Sequence, residues 1–301
     1  MSESLSTVPE YRVAPTRPMY WSIRREVWEN RSIYIAPLIV AAVFLFGFLI
    51  STIGLPQRVR AAETLASPAK RMALVMPYSM AASMILLTGF IVGMFYCLDA
   101  LNSERRDRSI LFWKSMPVSD RQTVLSKVAI PVLVLPLLTF SIALVTQFIM
   151  LLLSTAVLIV NGVNPVTLWR HVPLLSMMVV MFYGLTVHVL WYAPIHGWLL
   201  LISAWAKRAM FLWAVLPFLA AFALERIVFG TSRGVAFLKY RFLGGMTEAF
   251  AVEVPAKAPI TRFSEIDPLR FLGAPGLWLG LIFAAACLVA IVRLRRNREP
   301  I

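Results

Sequence analysis

Charge is scarce in this chain, and so are the residues from which most catalytic and metal sites are built. Of 301 residues only 15% are Asp, Glu, Lys or Arg, three are histidine and two are cysteine, while 59% are hydrophobic. Soluble domains carry about 25% charged residues, so the shortage excludes an ordinary water-soluble fold and points to lipid as the solvent. Cys97 and Cys287 each lie within an apolar run. Two such residues make neither a disulfide framework nor a zinc motif, and they read as packing residues. His171, His188 and His196 share no short ligand spacing, which argues against a metal site. The chain also lacks a GxxxxGK[ST] phosphate loop, an HExxH helix and a GxSxG elbow. No catalytic residue and no cofactor is therefore expected on this chain. Acidic residues are the scarcer sign, 15 against 29 basic, for a formal net charge of +14. Nucleic acid is not expected as a partner, because the basic residues sit between long uncharged runs rather than on a polar domain that presents a groove.

What is abundant is long apolar sequence. A helix crossing ~30 Å of hydrocarbon needs about 20 apolar residues, since lipid offers no partner to backbone groups left unbonded within the segment. Six stretches qualify, at 33–55, 77–98, 130–160, 173–201, 210–229 and 275–292. They predict an all-α integral membrane protein with a six-helix domain over 33–292, a polar and aromatic segment before it and a basic tail over 293–301. The first span is expected to act as an uncleaved signal anchor. Pro131, Pro136, Pro194 and Pro217 mark kinks or gate hinges, and Pro194 with His196 and Gly197 leaves span four open to an early exit. Lys and Arg gather at 12–31, 105–127, 207–208 and in the RLRRNR tail, which places both termini in the cytoplasm by the positive-inside rule.

Three segments outside the spans carry information. Before span one, Met19, Tyr20, Trp21, Ile23, Val27 and Trp28 share a broad helical face with Ser22, Arg25 and Glu29 opposite. That pattern predicts an interfacial helix lying on membrane lipid. Between spans two and three, Glu104 to Ser115 is expected to form a helix that opens with Glu104, Arg105, Arg106, Asp107 and Arg108. It continues through Ile110, Leu111, Phe112, Trp113, Lys114 and Ser115 before Pro117 stops it. Ser119 with Gln122 is a capping-box signature for a new helix leading into span three. The apolar cluster rimmed by charge suits docking against a partner or rest on the lipid surface. Between spans five and six, the Gly244–Gly245 pair fits either two short re-entrant helices with a glycine break or a loop packed on the span ends. His188 in span four and Glu225 with Arg226 near the end of span five are candidate intramembrane polar groups, since ionisable residues at that depth are costly.

This order of elements resembles the ABC-2 type permeases of bacterial ABC exporters. Glu104-Arg105-Arg106-Asp107-Arg108-Ser109, then Lys114-Ser115-Met116-Pro117-Val118-Ser119-Asp120 and Leu125-Ser126-Lys127, look like that family's coupling-helix region. His196 to Pro217 resembles a stretch of bacterial members. The resemblance implies a half-transporter in the inner membrane: two copies of this chain with two copies of an ATP-binding cassette ATPase that bind ATP and Mg, moving an exported substrate. It also favours re-entrant helices before span six. A membrane-embedded lipid-modifying enzyme and a non-transporting sensor or anchor for a cytoplasmic partner remain the alternatives.

Overall fold

The computed structural model describes residues 18–106, 119–251 and 259–297. Among them no strand forms, and a single antiparallel bridge joins Phe250 to Ile266. Six helical stretches are long and apolar enough to cross a membrane: Ser32–Ala62, Met72–Glu104, Asp120–Val160, Val166–Trp205, Met210–Phe229 and Pro275–Arg296. The chain is thus a six-span helical bundle of membrane character. Its spans agree with the apolar runs in number and order.

Helix α1 (Pro18–Glu29) and α2 (Ser32–Ser51) lead into a 3-10 turn at Thr52–Gly54 and α3 (Leu55–Glu63). Helix α4 (Ser67–Asp99) returns and is followed by α5 (Asn102–Arg106). Helix α6 (Asp120–Ala129) begins where the serine signature puts it: the Ser119 hydroxyl accepts from the Gln122 amide at 3.2 Å. A π-helical turn over Ile130–Val134 joins α6 to α7 (Leu135–Val160). Pro131 and Pro136 lie in and just after this turn, where the altered hydrogen-bond register removes the need for the donors that proline lacks.

The short α8 (Val166–His171) precedes α9 (Leu174–Trp205), which runs unbroken through Pro194. The helix that carries span four therefore continues to Trp205 instead of stopping at Pro194. After α9 come α10 (Met210–Phe229), α11 (Arg233–Ala249), α12 (Pro268–Gly273) and α13 (Pro275–Asn297). One expectation is corrected here: helix α11 continues through Gly244 and Gly245 instead of breaking. Helix α13 runs to Asn297, so the first residues of the basic tail are helical.

Burial divides the bundle into layers. At the end where α1 lies, here called proximal, Ile33, Cys97, Leu101, Val124, Ile130, Leu199 and Ile291 form one core. At the distal end Leu55, Val59, Tyr78, Met150, Leu158 and Leu168 form another. A third, around Trp191, Phe250, Phe271 and Leu277, lies between α9, α11, α12 and α13. Large apolar side chains such as Ile39, Phe46, Phe95, Val145, Phe182 and Ile282 remain exposed around the bundle. That is the expected outcome when the surrounding solvent is hydrocarbon.

Candidate functional site

The most concentrated chemistry among the described residues is an ion cluster at the proximal end. Lys127 on α6 is 2% exposed. Its Nζ donates to Glu26 Oε1 at 2.9 Å and pairs with Glu104 Oε1 at 3.0 Å. Glu104 lies on α5, and its second oxygen accepts from Arg295 of α13 at 2.8 Å. Arg295 Nε also donates to Asp120 at 3.0 Å, at the start of α6. Arg25 bonds Glu26 at 3.1 Å and Glu104 at 3.3 Å, and the Tyr96 hydroxyl of α4 donates to the other oxygen of Glu26 at 2.8 Å.

Local sequence explains how these groups converge. On α1, Ile23, Glu26 and Val27 fall on one helical face, so packing of Ile23 and Val27 against the proximal core carries the carboxylate inward. On α6, Lys127 sits among Val124, Val128 and Ile130, which bury the same face. The turn from α4 into α5 is held by Ser203 of α9, whose hydroxyl accepts from the amides of Leu101 at 3.0 Å and Asn102 at 3.1 Å. Burying charges costs several kcal/mol per ion unless each is paired and hydrogen-bonded. The shared geometry around Glu26 and Glu104 meets that condition. At the cluster's edge, burial raises the Glu29 carboxyl above the ordinary carboxylate value, and Arg25 at 3.3 Å offsets this only in part.

The cluster surrounds the two ends of the connection between spans two and three. Of the residues expected to contact a partner there, Glu104 is 5% exposed and turned into the cluster, and Arg106 is exposed. Arg105 shares the short α5 with both. Asp107, Arg108, Ile110, Leu111, Phe112, Trp113, Lys114 and Ser115 lie outside the described residues.

The three candidate intramembrane groups are not brought together, and no hydrogen bond or ion pair joins them among the described residues. The His188 ring lies 4.8 Å from Phe90 and 4.4 Å from Tyr192, centroid to centroid. Glu225 accepts from Thr231 Oγ1 at 2.7 Å and from the amides of Arg233 at 2.6 Å and Gly234 at 2.7 Å. It thereby caps the first turn of α11, where the positive end of the helix dipole favours a carboxylate. Arg226 donates to the Gly230 carbonyl at 3.1 Å, closing the end of α10. Both residues serve helix ends.

Sequence reasoning passed over a buried arginine, Arg241 of α11. Its guanidinium stands 4.8 Å over the Trp191 ring and donates to the carbonyls of Trp191 and Gly276. Burial lowers its proton affinity from the ordinary arginine value. Trp191 Nε1 returns a bond to the Arg241 carbonyl at 2.8 Å. The available signal was an arginine flanked by Tyr240 and Phe242 a few positions before a glycine pair. Compared with protein-family models, with curated proteins and with solved structures, the chain matches none.

Proposed function

We propose that this chain is the membrane subunit of an ATP-driven exporter of the ABC-2 permease type, working as one of two copies beside two copies of a separate ATPase that carries ATP and Mg. The observation that supports this reading most is the proximal ion cluster. It clamps α1, the end of span two, the start of span three and the end of span six around the 104–119 connection. A connection anchored this way transmits a push as rigid-body motion, whereas a free loop dissipates it. ATP-driven closure of the partner would displace the segment from Glu104 to Ser115, and the clamped spans would tilt together to change which face of a central path is open.

In this reading Arg105, Arg106 and Arg108 face the ATPase, while Glu104 positions the segment by holding it to Lys127 and Arg295. The termini are cytoplasmic, the membrane is the bacterial inner membrane, and α11 with α12 is a re-entrant element on the far side. Charge reversal at Arg105, Arg106 and Arg108 together is expected to leave membrane insertion intact and abolish transport by the complex while its ATPase still turns over. Normal transport by that triple variant, or full transport by the chain with no ATPase copurifying, overturns the proposal.

A further inference from the structure

The face of α1 that points away from the ion cluster has a chemistry of its own. Trp21, Arg24 and Trp28 follow one another at spacings of three and four residues, so they form a single stripe along the helix. The Arg24 guanidinium lies 5.3 Å from the Trp21 ring and 4.4 Å from the Trp28 ring. Both indoles stay open to solvent, at 56% and 61% exposure, and Tyr20 beside them packs edge-on to Trp21. Arg31 is exposed at the junction with α2. The sequence pattern assigned Ile23 and Val27 to the same surface as the tryptophans. In the fold those two residues pack inward and leave an aromatic and cationic stripe outside.

Two features of this stripe need an explanation. Arg24 has no carboxylate within ion-pairing distance among the described residues, because the acids nearest in sequence, Glu26 and Glu29, pair with Arg25 and Lys127 instead. Exposed indoles on a helix that leads directly into an apolar span belong at headgroup depth, where the ring is half apolar and the N–H is wet. A guanidinium held between two rings is weakly hydrated and pre-organised, and its fork of donors matches a phosphate.

We propose that the Trp21–Arg24–Trp28 stripe is a docking site for the headgroup of an anionic phospholipid. Arg24, supported by Arg31, takes the phosphate, and the two indoles set the depth of the helix. Charge complementarity selects an anionic headgroup over a zwitterionic one, whose ammonium would approach the same arginines. Glu26 joins the opposite face of the helix to Lys127, so a lipid held here also fixes one wall of the ion cluster. The inference does not rest on the transport reading, because it needs only that α1 lie against a bilayer.

The full-length protein, with any subunits that copurify, is reconstituted in nanodiscs holding equal amounts of phosphatidylcholine and phosphatidylglycerol. Retained lipid is then counted by native mass spectrometry after release. The wild type is expected to keep phosphatidylglycerol in excess of the bulk ratio. Arg24→Gln should lower that preference about fivefold, the effect of one basic residue at an anionic surface. Arg24→Lys, which keeps the charge but loses the stacked guanidinium fork, should fall between the wild type and Arg24→Gln, and Trp21→Ala with Trp28→Ala should lower retention of both lipids. Raising the salt concentration on the wild type should weaken the preference without any variant, since an exposed site is screened. Retention at the bulk ratio by the wild type, a preference unchanged in Arg24→Gln, or one insensitive to salt overturns the proposal.

Discussion

Lys127 shows best how single residues set the character of this protein. Its ammonium is shared by Glu26 and Glu104, and all three side chains are almost fully withdrawn from solvent. Removing one member of a buried charge group leaves the others uncompensated and typically costs about 3–5 kcal/mol, whereas an exposed pair contributes about 0–1 kcal/mol. Arg270 with Glu248, at 3.1 Å and half exposed, supplies that comparison within the same chain. Lys127→Met is therefore expected to lower the thermal unfolding midpoint of the detergent-purified protein far more than Arg270→Met does. Adding Glu26→Gln to Lys127→Met should recover part of the loss, because one of the stranded carboxylates is then neutral. Equal shifts for the two single variants would mean that the cluster is not a buried network. Little of this was legible in sequence. Lys127 and Glu104 are 23 positions apart, and Arg295 lies almost at the other end of the chain. The one local sign was Glu26, an acid between Ile23 and Val27 on an inward-facing stripe.

Elements were legible wherever apolarity itself decided the outcome, and less so where helix and lipid depth part company. Span two was expected from residue 77, yet α4 begins at Ser67 with Pro68 in its first turn. Apolarity marks what contacts hydrocarbon, whereas the helix itself extends beyond the apolar run and tolerates the missing donor of Pro77 within it. The Gly244–Gly245 pair was misread for a related reason. Glycine reads as a helix breaker in isolation, but here its missing side chain is used for packing. A Cβ on Gly245 would stand 2.8 Å from Trp191 Cγ, and one on Gly244 3.1 Å from Trp191 Cζ2. The neighbouring helix is notched in the same way, since Gly276 and Gly280 of α13 accommodate Tyr240 and Arg241. Gly245→Leu should thus push α11 off Trp191 at a cost of about 1–3 kcal/mol, as overpacking of a filled core does. It should also open Arg241, which is buried in the wild type, to trypsin. Gly273→Leu, at a position with nothing within 4 Å of a built Cβ, should behave as wild type and controls for added bulk. Retention of wild-type protease resistance in Gly245→Leu would show that α11 is not seated on Trp191.

At the scale of the whole molecule, six crossings require that both ends of the chain lie on the same side of the bilayer, and that the proximal ion cluster faces that side. Which side this is decides whether the cluster can meet a nucleotide-driven partner at all. The basic residues favour the cytoplasm, but only modestly, because the distal half also carries Arg58, Arg60, Arg170, Arg233 and Arg262. The buried state of Cys97 and Cys287 makes the test clean, since neither thiol competes for a bulky impermeant maleimide. Asn161, exposed at the distal turn after α7, and Arg208, exposed at the proximal turn before α10, are suitable positions. In intact cells Asn161→Cys should be labelled directly, and Arg208→Cys only after the membrane is opened. The reverse pattern would put the cluster, and with it the 104–119 connection, where no cytoplasmic ATPase can reach. The coupling role would then fail even though the helix packing and ion pairs described here remained unchanged.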